Sequence, residues 1–131
     1  MTEKSTARPT VLTVLPCAED CASLCAILGQ SNWDLRFTQT FEEARAALKR
    51  FSFKAVISEN ELSHVHCWKD LLGELQNLRD PPPLIVADRL ADEHLWAEVL
   101  NLGGFDVIVK PFDAKEVLHV LTVACGVTER E

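Results

Sequence analysis

Two groups of side chains in this sequence are able to do metal or thiol chemistry. Cys17, Cys21 and Cys25 recur every four residues, which puts them on one face of a regular helix. His64, His66 and Cys67 cluster further along. Thiolates and imidazoles are the ligands Zn²⁺ takes, so Cys17 with His64 and His66 or Cys67 is a conceivable soft-metal set. The spacing matches no finger pattern, and a buried structural thiol is the plainer role for Cys21 and Cys25. Cys67 also has His64 and His66 near it as bases. A cysteine nucleophile needs an oxyanion site besides, and neighbours on one loop do not make a dyad. Gly103-Gly104 reads as a helix end and turn. With neither a GxGxxG nor a Walker pattern in the chain, nucleotide binding is disfavoured.

The elements that must position these groups alternate along the chain. Thr10 to Leu15, a β-branched apolar run, reads as a buried strand. Ala18 to Leu28 follows as a helix, with Cys21, Leu24, Ile27 and Leu28 on its apolar side and Glu19 and Asp20 in its first turn. Asp34 to Thr38 is a second strand. Thr40-Phe41-Glu42-Glu43 is a capping box that opens a second helix. Phe53 to Ser58 is a third strand, and Val65 to Leu78 a third helix with a stripe of Trp68, Leu71, Leu72, Leu75 and Leu78. Asp80 to Pro83 stops it. Leu84 to Ala87 is a fourth strand, and Ala91 to Leu102 a fourth helix closed by Gly103. Asp106 to Val109 is the fifth strand. A capping box at Asp113 to Glu116 opens a last helix through about Ala124.

The bulk properties fit one domain. The chain has 131 residues, 47% hydrophobic and 25% charged, with a net charge of −7. A negative field disfavours a phosphate backbone as partner, so no nucleic acid is expected. No apolar run approaches the about 18 residues that cross a bilayer, and Met1 to Pro9 carries no apolar stretch. The expectation is a cytoplasmic protein with no membrane partner, its five cysteines reduced. Residues 1–9 and 126–131 are expected as tails around one domain at 10–125. Trp68 and Trp96 read as core or interface anchors.

Five strand–helix units imply an α/β fold with a five-stranded, doubly wound parallel sheet. In such sheets function gathers beyond the carboxyl ends of the strands. There the sequence resembles the receiver domains of response regulators, with the flavodoxin-like (βα)5 fold. The clearest stretch is Gly103 to Asp113, GGFDVIVKPFD, and the likeness runs from about Thr10 to Ala124.

The resemblance assigns positions one at a time. The phospho-acceptor aspartate falls on Glu59, a carboxylate one methylene longer. The acidic pair that binds Mg²⁺ falls on Leu15 and Pro16, followed by Cys17; neither offers a side-chain oxygen to a hard cation. Mg²⁺ binding is therefore expected to be absent or weak, and no cofactor or metal is implied. Another register would take Glu19 and Asp20 as the pair, but it would put Pro16 inside a central strand. The hydroxyl position falls on Asp88, the lysine on Lys110, followed by Pro111, and the aromatic switch on Val107. Lys110 should then pair with Glu59, Asp88 or both.

The departures together imply a free-standing, non-enzymatic receiver-like module of two-component signalling that is not phosphorylated in the usual way. Glu59 would either imitate a phosphorylated aspartate or mark lost chemistry. Two other readings stay open: Mg²⁺-dependent phosphoryl transfer to Glu59, and a metal or thiol sensor. The family's usual contact face would comprise Leu95, Trp96, Val99, Val107, Val109, Val117 and His119. The expected partner is a histidine kinase or a downstream effector, with homodimerisation through that face as a further option.

Overall fold

The computed structural model describes residues 10–29 and 31–126. The expected tail at 1–9 and residues 127–131 lie outside the described residues, and Gly126 is a turn after the last helix. Five strands, β1 (Thr10–Val14), β2 (Asp34–Thr38), β3 (Ala55–Glu59), β4 (Leu84–Asp88) and β5 (Asp106–Val109), alternate with five helices. These are α1 (Ala18–Leu28), α2 (Phe41–Arg50), α3 (Trp68–Gln76), α4 (Glu93–Leu102) and α5 (Ala114–Ala124). All strand pairs are parallel, in the order β2-β1-β3-β4-β5. The expected doubly wound sheet is the observed one.

The sheet is buried on both faces, so its central strands are largely apolar and their period-2 alternation feeds two cores. Leu12, Val14, Val56, Val86 and Val107 face one way, into a core completed by α2, α3 and α4 through Phe41, Trp68, Leu71, Leu95 and Val99. Val11, Leu15, Ile57, Ile85 and Ile108 face the other, against Leu24 and Leu28 of α1 and Val117, Val120 and Leu121 of α5.

Element ends depart from the sequence reading where local chemistry outweighs periodicity. β1 ends at Val14, although Leu15 N–H still donates to Thr38 O at 3.0 Å. β3 starts at Ala55, not Phe53, while β3 and β4 each run on to their terminal carboxylate, Glu59 and Asp88. α3 starts at Trp68 and not Val65, because residues 61–67 fold into a loop closed by a Glu61–Cys67 bridge. Asp70 then accepts from Cys67 N–H at 2.9 Å. α4 starts at Glu93 and not Ala91, since Asp92 caps it by accepting from Leu95 N–H at 2.9 Å. Gly103 ends α4 at φ 109°, a left-handed conformation that favours glycine. A Cβ on Gly104 would meet Val99 Cγ1 at 2.5 Å, so the turn into β5 requires two glycines.

Candidate functional site

The order of the strands reverses between β1 and β3, so the crevice beyond their carboxyl ends is where side chains from separate elements can converge. A cleft of about 460 Å³ opens there, lined by Pro16, Cys17, Glu59, Asn60, Glu61, Asp88, Leu90 and Lys110. Five residues expected in the pocket thus share one cleft: Pro16, Cys17, Glu59, Asp88 and Lys110. Leu15 does not join them. It is fully buried in the core beneath α1 and α5, an apolar side chain turned inward. Pro111 is exposed and follows Lys110 through a cis peptide bond.

The centre of the site is Lys110, 6% exposed. Its Nζ donates to Asp20 Oδ2 at 2.6 Å and to Glu59 Oε1. The side-chain bridges therefore run to Glu59 and Asp20. Asp88 meets Lys110 through the backbone, its carbonyl accepting from Lys110 N–H at 3.0 Å. Arg89, mostly exposed, stands 4.0 Å from the other Asp20 oxygen.

Sequence reasoning gave Asp20 only a first-turn role or a place in a shifted register. In the structure Pro16 lies outside β1, Glu19 is exposed, and Asp20 bonds Lys110 from within α1. A signal for this was present. Asp20, Leu24 and Leu28 are spaced by four and are the buried residues of α1. A carboxylate on a buried stripe requires a counter-charge, and Lys110 supplies it.

The surroundings set the protonation of this cluster. Burial works against the Lys110 ammonium, but the bonds to Asp20 and Glu59 outweigh it and hold its pKa above the ordinary lysine value. Glu59 is also pushed upward. Burial is the main cause, Lys110 opposes it, and the charges of Asp20 and Asp88 add to it. Three carboxylates crowd a single ammonium, and Glu59 keeps its charge less readily than a free glutamate.

The cysteine and histidine groups do not assemble into one site. Cys17 lines the main cleft, whereas His64, His66 and Cys67 line a separate concavity beside α3. Among the described residues, no three His, Cys, Asp or Glu side chains are grouped to hold a metal ion. Cys25 is exposed and Cys21 only half-buried, against the expectation of buried thiols. The stripe 17/21/25 sits beside the buried stripe 20/24/28, turned by one residue's rotation of about 100°. Burial raises the Cys21 pKa, helped by Asp20 and Cys17.

The expected contact face divides. Leu95, Val99, Val107 and Val117 are core residues, because the inward stripe of each helix and alternate residues of β5 are spent on packing. Trp96 (49% exposed), Val109 (44% exposed) and His119 remain at the surface. Trp96 Nε1 donates to Asp106 Oδ1 at 3.2 Å, which fixes the indole across the start of β5.

No family model and no curated protein sequence matches this chain. Solved structures do match. A signal receiver domain of a Luxo repressor protein from Vibrio parahaemolyticus superposes with a TM-score of 0.83 at 18% identity, covering 91% of each chain. The signal receiver domain of an HD domain-containing protein from Pseudomonas fluorescens gives 0.80 at 24% identity, covering 91% of this chain and 95% of its own. The receiver domain of a sensor histidine kinase from Pseudomonas aeruginosa, which has a magnesium ion in its active-site cleft, gives 0.80 at 19% identity, covering 92% and 99%. This chain has the fold of the response-regulator receiver domains.

Proposed function

We propose that this chain is a receiver-type signalling module that acts by protein–protein recognition and does not carry a phosphoryl group in the usual way. The observation that supports this reading is the closed charge cluster of Lys110, Asp20 and Glu59. An acceptor carboxylate must present an oxygen to the donor in line, and placement errors of about 1 Å cost about 100-fold in rate. Glu59 is one methylene longer than aspartate, and one of its oxygens is bonded to Lys110. Asp88 adds negative charge where the family has a hydroxyl. Mg²⁺ needs carboxylates and waters. Leu15 is turned into the core, Pro16 has no side-chain oxygen, and Asp20 is committed to Lys110.

On this reading the module is no enzyme, works among cytoplasmic two-component proteins, and meets a histidine kinase or an effector. Incubation with a small phosphodonor plus Mg²⁺, followed by intact mass, tests it. No phosphoryl adduct is expected, and NMR titration to about 10 mM Mg²⁺ should give no saturable shifts at Glu59 or at residues 15–20. An adduct that disappears in Glu59→Gln would overturn the reading.

A further inference from the structure

The loop between β3 and α3 is built around one histidine. His66 O accepts from Leu62 N–H and Ser63 N–H, both at 3.0 Å, and Ser63 Oγ accepts from His66 N–H at 3.0 Å. The imidazole stacks on Phe41 of α2, with centroids 4.2 Å apart and planes 24° apart. Its Nε2 lies 3.7 Å from Glu42 Oε2, and its Nδ1 lies 3.6 Å from Asp70 Oδ2. Both distances are too long for hydrogen bonds. Nδ1 is buried and has no hydrogen-bond partner, an uncommon condition for a polar atom in a native fold.

We propose that His66, set between Glu42 of α2 and Asp70 of α3, is a proton-operated clasp that tightens the β3–α3 loop. A neutral imidazole has one N–H and one lone pair, and an ionised carboxylate only accepts. The neutral ring can satisfy one of its two carboxylates and turns a lone pair toward the other. The imidazolium donates from both nitrogens, so one added proton converts two long contacts into two charge-assisted bonds. Those bonds would join α2 to α3 through the root of the loop. Asp70 Oδ2 already accepts from Cys67 N–H, so the clasp also bears on the start of α3. Glu61, His64 and Cys67 are the other titratable groups around this concavity. Asn60 and Glu61, at the start of the same segment, form part of the wall of the main cleft. Tightening the loop would therefore stiffen one wall of that cleft.

Amide hydrogen exchange of residues 62–67 in the full chain tests this, at about pH 8 and about pH 5.5. With intrinsic rates divided out, protection in the wild type should rise about threefold or more at the lower pH, as expected for two partly exposed ion pairs. His66→Gln should abolish the rise, Glu42→Gln should reduce it, and His64→Gln should leave it intact. Glu42 is exposed, so its variant keeps the test open if His66→Gln does not fold. A rise of the same size in His66→Gln, or in both Glu42→Gln and Asp70→Asn, would overturn the proposal.

Discussion

An ammonium that is 6% exposed stays charged only where anions replace the water it has lost. Lys110 has two such anions, and each of them depends on it in turn. Lys110→Met should therefore destabilise the fold by about 3–5 kcal/mol, the cost of leaving buried charge uncompensated. Adding Asp20→Asn and Glu59→Gln to Lys110→Met should recover most of that loss, because no lone charge then remains. Urea unfolding of the single and triple variants measures both effects, and equal stabilities would contradict the coupling. The pH dependence follows from the direction of the shift. The folded Lys110 pKa lies above its unfolded value, so its stabilisation is complete below about pH 10.4 and is lost as pH rises through the folded value. The urea midpoint of the wild type should fall over that alkaline range more steeply than that of Lys110→Met. Glu59 is also raised in the fold. Its contribution is present below about pH 4.3 and is lost as pH rises through its folded value, so its ionisation is a cost near neutrality.

At the scale of elements, each helix must start where its first N–H groups find acceptors. Thr40 accepts from Glu43 N–H and Asp113 from Glu116 N–H, both at 3.0 Å, and both starts were legible as capping boxes. Asp92 was hidden behind Ala91, which the apolar pattern had drawn into the helix. Asp92→Ala should cost about 1 kcal/mol in urea unfolding, with the loss of amide protection confined to the first turn of α4. A change below about 0.3 kcal/mol would mean that the bond to Leu95 N–H contributes little. The start of α3 was less legible still, because cysteine is a poor sequence signal for a cap and Val65 reads as helix although it is exposed in a loop.

At the scale of the molecule, the cleft ties α1, β3 and the end of β5 together through one lysine. A ligand-free switch can be biased only by a difference in interaction energy between its states. On the proposed reading, Asp88 stands at the hydroxyl position and the buried Val107 at the aromatic one, so the side chains that would report a change in the cleft would be missing. That reading expects a domain fixed in one state. Glu59→Gln removes the charge at nearly constant size, and Asp20 remains for Lys110. The variant should keep its circular dichroism and bind a partner within about threefold of the wild type. A loss of about tenfold or more would instead make the Glu59 charge part of what the partner recognises.

The sequence by itself determined the architecture. Buried parallel strands must be apolar runs, crossovers must be amphipathic helices, and GGFDVIVKPFD marks the last strand and its lysine. Glu59, Asp88 and Lys110 were legible for the same reason, since each stands at the end of a strand whose position was already known. What only the tertiary structure decided was how the charges pair and which surface is left. Asp20 and Lys110 are ninety residues apart, and no local pattern says that a carboxylate within a helix will meet a lysine after the last strand. The contact face required the packing too. Periodicity shows that α4 and β5 have apolar residues, but which of them point inward depends on the neighbours. Leu95, Val99, Val107 and Val117 went to the core, and Trp96 and Val109 were left outside. Side-chain burial is a property of the assembled layers and not of any one segment.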